Sequence, residues 1–227
     1  SEKKATPQAA SAKKTTSTPI PRSTRTTCNM KDARQVAIEL TAKVEIRDDR
    51  TGNVLATGTA FYIGNDSFIT NHHVVEGHDE GIEIYLTKGN WSRRFEIVRS
   101  SAYVDLATLV PWRCLFGNCV SSKEFSSPMP TKYVDDSDIG TNVGAAGYSG
   151  GIGSKAGVYE GKVSRVMTET VYLKYSSRKK EWVEFTAALT YGTSGGPVFD
   201  ECANLIGVIK GGLHGTILSL AISVRTV

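Results

Sequence analysis

Ser194 stands in the stretch "TYGTSGGPVFD" (Thr190–Asp200), with Gly192, Gly195 and Gly196 around it. A serine hydroxyl is a poor nucleophile at neutral pH. It needs a base to take its proton, a group to orient that base, and donors for the oxyanion that forms. Gly192 lacks a Cβ and can turn its backbone N–H inward. Together with the N–H of Ser194 it makes a two-donor oxyanion hole. Gly195 and Gly196 leave room for substrate main chain. The base must come from four histidines. "FITNHHVVEG" carries His72 and His73 at the end of a strand-like run. "SAYVDLATLV" carries Asp105 beside Leu106, Ala107, Leu109 and Val110. A carboxylate in such a run is expensive to bury unless it is paired, and an imidazole N–H is a suitable partner. The chain order is His, Asp, Ser.

Rival readings of these residues are weaker. A Gly-rich turn can hold a serine that only bonds locally, but that leaves His73 and Asp105 without a purpose. His72, His73, His78 and Glu76 suggest a metal, yet adjacent residues of a strand point to opposite faces. No metal and no cofactor is expected. "GTSGG" also fits the nucleophile elbow of α/β-hydrolases, which needs a helix after the serine and a later acid and histidine. "PVFDECANLIGVI" reads instead as a hairpin, and His214 follows too closely.

The surrounding elements are β-rich. "VAIELTAKVEIR" (Val36–Arg47) alternates apolar with polar, "DDRTGN" is a turn cluster, and "VLATGTAFYIG" (Val54–Gly64) completes a hairpin. "SFIT", "IEIYLT", "RRFEIV" and "VDLATLV" continue the pattern. From Leu115 to Asp138 the composition turns to Ser, Pro, Asp and Lys without periodicity, and reads as a linker. The second half offers "TNVGAAGY", "GVYEGKVSRV", "TVYLKYS", "EWVEFTAA", "PVFD", "LIGVIKGG" and "ILSLAISV", with "SSRKKE" (Ser176–Glu181) as a polar hairpin tip. Helix patterns are scarce; "NMKDARQVAIEL" offers one starting turn. Many short strands with Gly-rich turns predict an all-β fold. The expected units are a tail over 1–27, a β half over 28–120 with His and Asp, a linker over 121–138 and a β half over 139–227 with Ser.

The net charge of +4 is uneven. Residues 1–27 hold Lys3, Lys4, Lys13, Lys14, Arg22 and Arg25 against Glu2 alone, a net of +5, so the rest carries about −1. The tail has too little apolar surface to offset its ordering entropy and is expected to be disordered. The body shows no basic face for nucleic acid. No apolar h-region for a signal peptide and no run of membrane-spanning length is visible. Four cysteines allow three pairings. Cys114 and Cys119 flank a small loop, which leaves Cys28 and Cys202 to pair by elimination. Four reduced thiols are the alternative.

Three of these segments carry a family resemblance. "TNHHVV", "DLATLV" and "GTSGGPVFD" resemble the His, Asp and Ser segments of the chymotrypsin-fold serine proteases, closest to the HtrA/Deg-like bacterial branch. The resemblance spans about Val36 to Val224. It places the base at His73, directly before Val74–Val75, and makes His72 a neighbour. It implies two six-stranded antiparallel β-barrels with the site in the cleft between them, and a catalytic set of His73, Asp105 and Ser194. It also places Ala188 at the base of the specificity pocket, Gly211 and Gly212 along the wall that binds substrate main chain, and Leu218 and Leu220 on the following strand. No charge is expected in that pocket, so the implied P1 side chain is uncharged. His214 is a second candidate for touching substrate, although Ile209 takes the position of the pocket histidine found in some viral relatives.

Two departures stand out. Val74 replaces the cysteine that digestive relatives keep after the histidine, and Thr193 replaces the aspartate that receives a freshly cut N-terminus. No zymogen cut of that kind is expected. No PDZ domain of the kind usual in HtrA relatives is expected after "ILSLAISV" in this sequence. The expected protein is a serine endopeptidase acting on polypeptides, secreted or periplasmic. Its rivals are a viral polyprotein-processing enzyme of the same fold and a silent peptide-binding pseudoprotease.

Overall fold

The alternating segments become strands because one face of each is apolar and must be covered. A computed structural model describes residues 28–77, 81–113, 125–173, 176–213 and 216–226. The tail, the Cys114–Cys119 loop, His78 and His214 lie outside the described residues. Six strands form the first barrel: β1 (Thr41–Asp48), β2 (Val54–Gly64), β3 (Ser67–Thr70), β4 (Ile82–Lys88), β5 (Trp91–Ser101) and β6 (Leu106–Pro111). Their spatial order is β1-β2-β3-β6-β5-β4, closed by antiparallel pairing of β1 with β4.

The second barrel holds β7 (Asn142–Gly147), β8 (Gly157–Leu173), β9 (Ser176–Thr186), β10 (Pro197–Asp200), β11 (Leu205–Gly212) and β12 (Leu218–Ser223). Its order is β10-β11-β12-β9-β8-β7, closed by β10 on β7. The expected all-β double barrel is therefore the observed fold. Closure satisfies backbone groups that an open sheet would leave at its edges.

Packing follows the period of two. Ala42, Val44 and Ile46 of β1 are fully buried, and Phe68 anchors an aromatic group with Phe95 and Phe125 at centroid distances of 5.2 and 4.9 Å. Val143, Val163, Phe185, Ile206 and Ile209 fill the second barrel. Ala146, Phe199, Val208 and Ile222 of the second barrel pack into the first core, so apolar contact is continuous between the barrels.

Two sequence expectations need correction. Val36–Leu40 is helix, not strand: α1 runs from Met30 to Leu40, and β1 starts at Thr41. Ala33, Ala37 and Leu40 are its buried residues, at helical spacing. Asn29 caps it, accepting from the Asp32 N–H at 2.9 Å while its own amide donates to the Asp32 carboxylate at 2.7 Å. Such a cap contributes about 1 kcal/mol. The alternation in "VAIEL" is too short to outweigh that cap and the helical face. Ser176–Glu181 is likewise not a tip but the first half of β9, paired with β8 from Ser176↔Leu173 to Glu181↔Thr168.

Cys28 is bonded to Cys202, as elimination suggested. The bond fixes the start of α1 to the turn between β10 and β11, and Arg34 adds an ion pair to Glu160 at 3.1 Å. No helix among the described residues is long and apolar enough to cross a membrane.

Candidate active site

β3 and β6 are neighbours, with Thr70 opposite Ala107. The chain leaving β3 therefore runs beside the chain approaching β6. His73 lies three residues after Thr70, in the short helix α2 (His72–Val75); Asp105 lies two residues before Ala107. Pairing of the two strands brings these side chains together. His73 Nδ1 is 2.8 Å from Asp105 Oδ2 and 3.1 Å from Oδ1. The backbone N–H of His73 also donates to Asp105 Oδ1 at 2.9 Å. Asn71 donates from Nδ2 to the Asp105 carbonyl at 3.0 Å. Asp105 adopts φ +56°, a left-handed conformation that costs a non-glycine residue free energy and is held by these surrounding bonds.

The Asp105 side chain is 6% exposed. Burial alone would push its carboxyl up. The His73 ring, the Lys210 ammonium and the His73 backbone N–H outweigh that and hold it down to about 2. It is ionised across the neutral range. Lys210 Nζ pairs with Asp105 Oδ2, the same oxygen that faces His73 Nδ1. Lys180, itself buried, adds a second positive charge in this region and donates to the Tyr103 carbonyl at 3.1 Å.

Ser194 comes from the second barrel, on the turn before β10. Thr193 is fully buried, and its hydroxyl donates to the Thr190 carbonyl at 2.7 Å. Gly192 has φ +89°, and a Cβ there would overlap the Tyr148 carbonyl. Gly195 has φ +88°, and a Cβ there would overlap the Thr59 carbonyl and the Thr70 hydroxyl of the first barrel. Glycine at both positions lets the turn approach neighbouring backbone. The Thr59 N–H donates to the Ser194 carbonyl at 2.9 Å, and the Thr59 hydroxyl donates to the Gly192 carbonyl at 2.6 Å. Among the described residues, the N–H groups of Gly192 and Ser194 meet no protein acceptor. They remain able to receive an oxyanion. The Ser194 hydroxyl donates to the Lys210 carbonyl at 3.2 Å, and no bond joins it to His73 among the described residues.

His72 is turned elsewhere: its Nδ1 is 2.6 Å from Ser100 Oγ and its Nε2 3.1 Å from Glu76. The two histidines occupy a helical turn rather than the end of a strand. Among the described residues no cluster of His, Cys, Asp and Glu is arranged to hold a metal.

Ala188 is exposed and opens on a cavity of about 540 Å³, shared with Ala187, Thr186 and Ile217. Glu160 and Lys162 of β8 also line it. β8 thus brings charged residues beside Ala188 that linear spacing does not show. Gly211 and Gly212 end β11; a Cβ on Gly212 would press on the Leu189 carbonyl, whereas Gly211 faces open space. Leu218 and Leu220 lie on β12.

Sequence reasoning missed Lys210, Asn71 and Thr59. Lys210 carried a readable signal, a lone cation inside the apolar "LIGVIKGG", the counterpart of Asp105 inside "VDLATLV".

The sequence profile of the trypsin-like peptidase domain family matches residues 58–208. Protease Do-like 2 of Arabidopsis thaliana, a chloroplast protein, is 28% identical over 154 residues, 67% of this chain and 23% of its own length. A Halomonas elongata protein named "Probable periplasmic serine endoprotease DegP-like" is 29% identical over 157 residues, 66% of this chain and 28% of its own length. The chain thus spans about a quarter of each of these relatives. Among solved structures, the active form of the Rv3671c protease of M. tuberculosis superposes with a TM-score of 0.68 at 18% identity, covering 92% of this chain and 91% of that one. The serine endoprotease of Yersinia pestis gives a TM-score of 0.64 at 18% identity, covering 91% and 64%. These two likenesses concern the fold.

Proposed function

The chain belongs to the trypsin-like peptidase domain family, and on that premise we propose that it is a serine endopeptidase working through Ser194, His73 and Asp105. The observation that carries this reading is the double grip of Asp105 on His73, through ring and backbone N–H together. With Nδ1 donating to the carboxylate, Nε2 is left unprotonated as the acceptor.

In the proposed reaction a peptide substrate lies along Gly211–Gly212, and the Ser194 hydroxyl exchanges the Lys210 carbonyl for His73 Nε2. Ser194 Oγ attacks the scissile carbonyl carbon, and His73 takes the hydroxyl proton. The carbonyl oxygen becomes an oxyanion held by the N–H groups of Gly192 and Ser194. Its collapse breaks the C–N bond, and His73 gives its proton to the leaving amine. Water, deprotonated by His73, then hydrolyses the ester on Ser194. Asp105 keeps the ring oriented and stabilises the imidazolium. The proposed P1 side chain is uncharged and lies against Ala187, Ala188 and Ile217. The Cys28–Cys202 bond supports an oxidising compartment, periplasmic or secreted.

One observation favours a second reading, a peptide-binding protein without turnover. The Ser194 hydroxyl faces the Lys210 carbonyl, and the Lys210 ammonium shares the Asp105 oxygen that faces His73. A peptide library decides between them. The wild type is expected to cut after uncharged residues and Ser194→Ala to leave every peptide intact. Retention of peptides without cutting, or cutting that persists in Ser194→Ala, would overturn the enzyme reading.

A further inference from the structure

A second cavity, about 300 Å³, lies between the first barrel and the loop that follows β7. None of the residues of the Ser194 turn lines it. Lys43 of β1, Thr87 of β4 and Ser92 of β5 stand side by side in register on its first-barrel wall, next to Glu45 and Arg47. Tyr148 and Ser154 face them from the second barrel, and the Gly89 N–H closes the rim by donating to the Ser154 carbonyl at 3.2 Å.

Glu45 is nearly buried, and both its oxygens are taken. Lys43 Nζ lies 2.6 Å from Oε1, and Arg47 pairs with Oε2. Burial would push the Glu45 carboxyl up, and the two cations outweigh it and hold it below its usual range. The group of three keeps one net positive charge at neutral pH. Tyr148 is the second observation. It is 2% exposed, and its hydroxyl has no hydrogen-bond partner among the described residues. Burial pushes its phenol up to about 12, so it keeps its proton at neutral pH and needs an acceptor. Trp91 of the same lining has a buried indole Nε1–H that meets no acceptor among the described residues, and such a donor forfeits a bond that water or a ligand would supply. The remaining hydroxyls, of Thr87, Ser92 and Ser154, can also donate. The lining is thus rich in donors with one unmatched positive charge, and its volume is at the lower end of ligand sites.

We propose that this cavity binds a small organic carboxylate, with one oxygen on the Tyr148 hydroxyl, and that its occupancy is transmitted to the Gly192 turn. The route is a chain of direct bonds. The Tyr148 N–H donates to Thr59 Oγ1 at 3.0 Å, and that hydroxyl donates to the Gly192 carbonyl at 2.6 Å. The Gly150 N–H, two residues after Tyr148, donates to the Tyr191 carbonyl at 2.6 Å. A ligand that draws on the Tyr148 ring moves the residue whose N–H holds the Thr59 hydroxyl on the Gly192 carbonyl. The binding site stands whether or not Ser194 is a nucleophile; only the consequence for turnover rests on that reading.

Benzoate is the probe. It is titrated into ¹⁵N-labelled Ser194→Ala protein at constant ionic strength, and backbone amide shifts are followed. Saturable shifts at Tyr148, Ser154 and Gly192 are expected, with an apparent Kd weakened by about tenfold in Ser194→Ala/Tyr148→Phe, which keeps the ring and removes the donor. Absence of saturation up to about 50 mM would overturn the proposal, that concentration lying far above the range of a built site. So would equal affinity in the two proteins, or shifts confined to the cavity that leave the Gly192 amide unmoved. None of these readouts depends on catalysis, so an inert Ser194 would defeat the enzyme reading and leave this one standing.

Discussion

Thr59 and Ser194 belong to different barrels, and the backbone N–H of one donates to the carbonyl of the other at 2.9 Å. The same threonine holds the Gly192 carbonyl through its hydroxyl. The turn that carries Ser194 is therefore anchored to the barrel that carries His73 and Asp105. Two β units could slide on an apolar interface; directional bonds at the turn fix where the hydroxyl stands relative to the imidazole.

Replacing Asp105 by Asn keeps the size of the side chain and removes its charge. The amide cannot accept from both the ring and the backbone of His73 as the carboxylate does. Asp105→Asn is expected to fold normally and to lose about four orders of magnitude in kcat on a peptide substrate, as in the general case of this triad. Circular dichroism checks the fold and steady-state kinetics the rate. A fall below about tenfold would remove Asp105 from the reaction.

Lys210→Met tests the ammonium on Asp105. The carboxyl is held at about 2 against an ordinary 3.8, so its contribution to stability is present above about 3.8 and is lost as pH falls toward 2. Without the ammonium the carboxyl is held down less, so the acid loss still begins near 3.8 but is smaller and ends at higher pH. Urea midpoints of wild type, Lys210→Met and Asp105→Asn between pH 2 and 5 make the comparison. The acid limb should be reduced in amplitude in the first variant and lost in the second. Superimposable acid limbs in all three proteins would contradict the assignment.

Gly192→Ala places a methyl group against the Tyr148 carbonyl at a φ of +89°. The turn must shift, and the two N–H groups lose their common aim. Labelling of Ser194 by a fluorophosphonate should slow by about two to three orders of magnitude, the usual effect of losing an oxyanion donor. A rate within about threefold of wild type would show that these N–H groups do not serve an oxyanion.

The Cys28–Cys202 bond joins residues 174 apart in sequence. Removing a native bond of this kind costs about 2–5 kcal/mol. The double Ser variant should melt at a temperature lower by roughly 5–15 °C. Cys202 follows β10 and Ser194 precedes it, so the bond and the hydroxyl stand at opposite ends of that strand, with His73 and Asp105 in the other barrel; kcat at 20 °C should be little changed. An unchanged melting temperature would show that the bond contributes nothing.

Much of this was readable from residue order. β2 and β3 coincide with the runs Val54–Gly64 and Ser67–Thr70, because period-two alternation bounded by turn residues leaves few other folds. The approach of His73 to Asp105 was readable from a single buried acid that needed a donor. α1 was not: Asn29 and Asp32 form a cap, but the following "VAIEL" also alternates, and only packing on the second barrel decides between the two periods. Lys210 was overlooked because its ammonium reaches the other barrel, and pairing between distant strands is invisible to local spacing. The charged lining near Ala188 was overlooked for the same reason, since register sets Lys162 opposite Asn142 across β7 and β8.

Reaction of the protein with a fluorophosphonate, read by intact mass and peptide mapping, tests the central claim most directly. The wild type should gain one adduct, on Ser194, and His73→Ala and Ser194→Ala should gain none. A folded wild type that stays unlabelled at every pH between about 6 and 9, where an activated serine is competent, or an adduct that maps to another residue, would contradict it.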